Sequence, residues 1–151
     1  MIHSFIARIA RLPLFGRKQP IDGVWEIIKW WEVRRIPFNL IVGVTGLLSG
    51  TMVFGVAFVA ERVTGEATGW PDPPMFIFLA VIAYGIMANV CYTGGWVMEL
   101  LASRVWGDRA EAMGEISFTL GMLFSVALTL LPAVVIVGLD TISIIAHVLK
   151  H

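Results

Sequence analysis

The sequence predicts an all-α integral membrane protein with three transmembrane helices, N-terminal amphipathic interfacial helices and a short C-terminal helical tail. Three observations predict it. The 151 residues are 58% apolar and 15% charged, against roughly 45–50% and about 25% in soluble domains. The charges are also grouped, so that Ile36–Ala60, Pro73–Met98 and Ile116–Leu139 carry none. Finally, runs such as Leu130–Val137 do not alternate apolar with polar residues, as the strands of a membrane barrel would. A soluble fold of this length buries only about two-thirds of its surface, so this much apolar side chain would be left facing water.

Each charge-free stretch exceeds the roughly 20 residues that a helix needs to cross a 30 Å hydrocarbon core. Lipid offers no partner to free backbone groups, which leaves the helix as the spanning element. The sequence therefore divides into a cytoplasmic juxtamembrane region, residues 1–36, and a three-helix transmembrane domain, residues 37–151. Spans are expected near 38–60, 75–101 and 114–139.

The boundaries have local signals. Pro37 is expected to open the first span and to push Ile36 out of helical conformation. The stretch Thr64–Asp72 reads as a loop, and Pro73-Pro74 start the second span. Gly107-Asp108 is the expected break after it, with Asp108 as N-cap of the third helix. Pro132 falls inside that helix and predicts a kink. Before the first span, Ile2, Phe5, Ile6, Ile9 and Leu12 recur at helical spacing, the pattern of a helix lying in the membrane surface. Val24–Ile36 reads as a second amphipathic helix. Residues 141–149 are too short to span and read as an interfacial helix or an extension of the third span.

Orientation follows from the cations. Seven Lys and Arg precede the first span, one lies in the first loop, two in the second and one in the tail. The positive-inside rule then puts the N-terminus in the cytoplasm and the C-terminus outside the plasma (inner) membrane. Trp25, Trp30, Trp31, Arg34 and Arg35 are the expected interfacial anchors, in contact with the lipid bilayer.

Several classes of function are excluded or disfavoured. The single Cys91 cannot form an intramolecular disulfide, and the three histidines sit at the two ends of the chain, so no zinc cluster is expected. No nucleotide-binding, zinc-protease or nucleophile-elbow motif occurs. Net charge of zero gives no reason to expect a nucleic-acid partner. No cofactor and no metal are expected; Glu111, Glu115 and Thr119 at the third helix's entry suit the helix dipole better than a cation.

Two features remain as candidate contact or functional faces. Gly43, Gly46, Gly50 and Ala57 share one side of the first span and include a GxxxG pattern, which lets helices approach closely. That face packs against the chain's own helices, against another subunit, or against a second copy. In the second span, Gly85, Asn89, Tyr92, Trp96 and Glu99 form a polar stripe, a set of side chains that should face protein or water. Interhelical hydrogen bonding explains the stripe, with a polar cleft for a small ligand or proton as its functional counterpart. Glu99 is expected in a hydrated juxtamembrane ion pair with Arg104, Arg34 or Arg35.

The leading reading is a small non-enzymatic membrane protein of a bacterial-type membrane that packs against other membrane-protein subunits or copies of itself. The alternative is a small oligomeric transporter or channel that uses the polar stripe. An intramembrane enzyme working through Tyr92 or Glu99 is weaker, because neither residue has a catalytic partner in the sequence.

Overall fold

A computed structural model describes residues 23–66, 75–107 and 113–150. The described residues form three helices: α1 (Val24–Thr64), α2 (Met75–Trp106) and α3 (Met113–Lys150). All three are long and apolar enough to cross a membrane. With 41, 32 and 38 residues, they extend about 62, 48 and 57 Å at 1.5 Å per residue. The segments Met1–Leu14 and Asp108, expected as a surface helix and an N-cap, lie outside the described residues.

The first correction concerns Pro37. The chain does not break at Ile36; α1 passes through Pro37 as one helix, so Val24–Ile36 is its first part and not a separate interfacial element. Proline removes the N–H that would bond the carbonyl four residues back. Here that is the Val33 carbonyl. The neighbouring Arg35 carbonyl accepts the Asn39 side-chain amide at 3.0 Å. The buried residues also stay on one side of the helix: Ile27, Phe38, Ser49 and Ala60 are each eleven apart, as are Trp31, Val42 and Val53. Eleven residues are close to three helical turns. A break at Ile36 would take Phe38 and Val42 off the side that Ile27 and Trp31 bury.

At the C-terminus the second of the two alternatives holds. Residues 141–149 continue α3, which runs to Lys150 with Pro132 inside it. The Thr141 hydroxyl donates to the Val137 carbonyl at 2.6 Å, so the polar residues after the apolar span are absorbed into the helix.

Helix ends follow the glycine signals. Gly65 and Gly107 both adopt left-handed φ values, 71° and 54°, directly after α1 and α2. That conformation favours residues without a Cβ and stops a helix. At the end of α1, the Gly65 N–H bonds the Glu61 carbonyl at 3.0 Å.

The helices pack as two compact units. The first contains α1 up to Asn39, α2 from Ala83 and α3 up to Ser125; its interior includes Trp31, Phe38, Tyr92, Glu99, Phe118 and Met122. The second contains the remainder of each helix, with Ser49, Val53, Ala57, Ala60, Thr129 and Ala133 inside.

Candidate functional site

The first unit is organised around Trp31, which is 2% exposed. Its ring meets Trp30, Tyr92 and Phe118 edge-to-face at centroid distances of 5.5, 5.2 and 5.7 Å. Such geometry sets the positive edge of one ring against the negative face of another. Phe38 packs on Tyr92 at 4.7 Å.

Three positions on α2 hold this residue. The Tyr92 hydroxyl donates to the Trp31 backbone carbonyl. The indole Nε1 donates to the Glu99 carboxylate at 2.7 Å. Between them, a Cβ built on Gly95 would lie 2.6 Å from Trp31 Cη2. Positions 92, 95 and 99 share one helix face by their spacing of three and four. A hydroxyl, an absent side chain and a carboxylate therefore fix the carbonyl, ring edge and N–H of one tryptophan.

Beside this cluster, Asn39 and Asn89 form a closed amide pair. Asn39 Nδ2 donates to Asn89 Oδ1 at 3.1 Å, and Asn89 Nδ2 returns a bond to Asn39 Oδ1 at 2.8 Å. The remaining hydrogens go to the Arg35 and Gly85 carbonyls, each at 3.0 Å. All four amide hydrogens are thus used inside the protein. One turn away, Arg35 donates to the Thr93 hydroxyl at 3.0 Å and pairs with Glu32 at 2.9 Å. Arg34 stacks over the Trp30 ring at 4.1 Å.

The polar stripe of α2 thus meets α1 through Asn89, Tyr92 and Glu99, while Gly85 contributes a carbonyl. Trp96 is half-buried, and its Nε1 has no hydrogen-bond partner among the described residues. Glu99 departs from the expected hydrated boundary carboxylate. It is 3% exposed and accepts the Trp31 indole, while Arg35 is engaged by Glu32 and Thr93. Trp31 departs from its expected place as a headgroup anchor for the same reason, since its N–H is used inside the protein. Trp25, by contrast, is 81% exposed.

The glycine face of α1 is narrower than its sequence pattern. In the second unit, a Cβ on Gly46 would meet Thr129 Cγ2 at 3.6 Å, and Ala57 is buried, but no atom lies within 4 Å of a Cβ on Gly43 or Gly50. At about 100° per residue, Gly43 and Gly50 lie 80–100° round the helix from Val42 and Ala60, off the buried line.

Three residues were missed from sequence. Asn39 had a readable signal, because an amide in a charge-free stretch needs a protein partner as much as Asn89 does. Gly95 and Phe118 had none, since their importance comes from a tryptophan distant in the chain.

The first unit also holds an open-sided hollow of about 100 Å³ between α2 and α3. Ala88, Cys91 and Gly95 line it from α2, and Ser117, Gly121 and Ser125 from α3. Among the described residues, no group of three His, Cys, Asp or Glu converges as a metal site would require.

The fold and its apolar helices define the class: an all-α protein with three helices able to span a membrane. No protein-family model, curated protein or solved structure matches the chain.

Proposed function

We propose that this chain is a non-enzymatic packing subunit of a bacterial-type inner membrane, working as an accessory subunit of a larger complex or as a homo-oligomer. The observation that carries this reading is the closure of the Asn39–Asn89 pair and the engagement of Trp31 by its neighbours. Asn39 and Asn89 use every amide hydrogen on each other and on their own helices. Tyr92 and Glu99 both engage Trp31. Transport and proton transfer need polar groups that exchange partners with water or substrate. Here those groups hold helices together. The partner surface is argued from α2, whose most apolar window is only 6% buried, and from Gly43 and Gly50, which stand open on α1. The distribution of Lys and Arg supports a cytoplasmic N-terminus.

Purification of the full chain in mild detergent tests the reading. The expected particle contains several protein chains, either identical copies or a second membrane protein in fixed ratio. A single-chain particle that retains its fold would overturn it. In liposomes, an Asn89→Leu variant of unchanged stability that abolishes an ion or solute flux would favour the transporter reading instead.

A further inference from the structure

We propose that the hollow between α2 and α3 in the first unit is a seat for one acyl chain of a membrane phospholipid. Its lining is mainly apolar, with the hydroxyls of Ser117 and Ser125 on the α3 side. Phe38, Phe118 and Met122 form apolar wall, and no charged side chain lines it. The one phenol that reaches it, Tyr92, is already donating to the Trp31 carbonyl.

Its mouth identifies the source of the occupant. Cys91, Gly121 and Phe124 are exposed where the hollow opens. All three belong to the charge-free stretches 73–98 and 116–139. The opening is therefore continuous with the lipid-facing surface at the level of the hydrocarbon, and a ligand dissolved in water does not reach it. Phospholipid chains are the molecules concentrated there.

Shape narrows the class. The hollow of about 100 Å³ is open-sided, so it does not enclose a ligand; it receives one side of a chain whose other side stays in the bilayer. The small residues run in two facing rows, Ala88, Cys91 and Gly95 against Ser117, Gly121 and Ser125. Each row is about 11–12 Å long at 1.5 Å per residue, roughly a third of the hydrocarbon core. Two rows of small side chains leave a trough that a straight chain fills along its length. The inference requires that any partner chain seated on α2 leaves the mouth at Cys91, Gly121 and Phe124 open to lipid.

The test reconstitutes the full chain in phosphatidylcholine vesicles containing a trace of phosphatidylcholine with a diazirine midway along one acyl chain. After illumination, crosslinks are mapped by mass spectrometry. They should concentrate on residues 88–95 and 117–125 relative to the exposed apolar face at Val134 and Val135. Gly121→Leu places a side chain in the trough, and a Cβ at Gly121 meets no atom within 4 Å, so the variant should fold. Its crosslinks at 88–95 should fall to the level of the Val134–Val135 face, while that reference face stays unchanged. Gly121→Ala, with a melting temperature measured beside it, provides a milder variant that should give an intermediate loss. Uniform crosslinking of all exposed faces would overturn the proposal, as would indifference to both substitutions. The single cysteine adds a second arm: efficient oxidative Cys91–Cys91 coupling would mean that another copy covers the mouth, and would also overturn it.

Discussion

The two packing units solve the same problem with different interactions. Helices in lipid gain little from hydrophobic burial, because the tails around them are as apolar as their side chains. In the first unit, association rests on directional contacts: edge-to-face rings, the indole–carboxylate bond and the closed asparagine pair. The second unit rests on small residues, with Gly46 facing Thr129 and with Ser49, Val53, Ala57 and Ala60 on the buried side of α1. Its hydroxyls at Thr45, Thr51 and Thr64 donate to carbonyls four residues back on their own helix. Directional contacts fix which residue opposes which. Small-residue contacts fix only how near the backbones come.

That difference orders the expected effects of substitution. Trp31→Ala should be the most damaging. It empties the centre of the aromatic cluster and removes a donor from a buried carboxylate, with a loss of about 3–5 kcal/mol typical of large-to-small changes at aromatic positions. Reversible unfolding in mixed micelles measures it, and a loss below that of Ala57→Gly in the second unit would break the contrast.

Gly95→Val comes next. The added Cβ sits 2.6 Å from a ring already held at its backbone carbonyl and indole N–H, and overpacking of this kind costs about 1–3 kcal/mol. Gly46→Ala is its counterpart in the second unit. Contact at 3.6 Å is ordinary, so the change should stay within about 0.5 kcal/mol of neutral. Equal melting-temperature shifts for the two glycine variants would show that the units do not differ in tightness.

Asn89→Leu should cost about 1–2 kcal/mol, the range of interhelical hydrogen bonds in model membrane helices. The smallest effect should be Gly50→Leu on the protomer itself, because no atom lies within 4 Å of its Cβ. If Gly50 faces another chain, the same variant lowers the mass of the detergent particle while leaving the unfolding transition in place. Native mass spectrometry beside thermal melting separates those outcomes.

The helix count and the helices' capacity to cross a membrane were legible because both depend on composition over long stretches. Three charge-free stretches are enough to give them. The polar stripe of α2 was legible for a similar reason, since Asn89, Tyr92 and Glu99 are conspicuous against an apolar background. Their partners were not. Sequence spacing reports which residues share a helix face, but not which side chain of another helix faces them. Spacing offered Glu99 several arginines nearby and gave no sign of an indole 68 residues away. Pro37 misled in the opposite direction. The local rule against proline in helices is sound, but burial on one side of α1 runs through residues 27, 31, 38 and 42 and outweighs it. Gly43 and Gly50 match the pattern of a packing seam and still lie off the buried line, because a GxxxG motif carries no information about which flank is used.

The closed pair of Asn39 and Asn89 has a consequence for how this chain can evolve. Each amide completes the hydrogen bonding of the other, so a leucine at either position strands a polar group against lipid, while leucines at both strand none. The two sites are therefore bound by epistasis of a particular sign: each single change is worse than the double. Drift away from this arrangement must pass through a less fit intermediate, and homologous sequences should carry two asparagines or two apolar residues at these positions far more often than one of each. Although fifty residues separate them in the chain, the two positions should behave genetically as one.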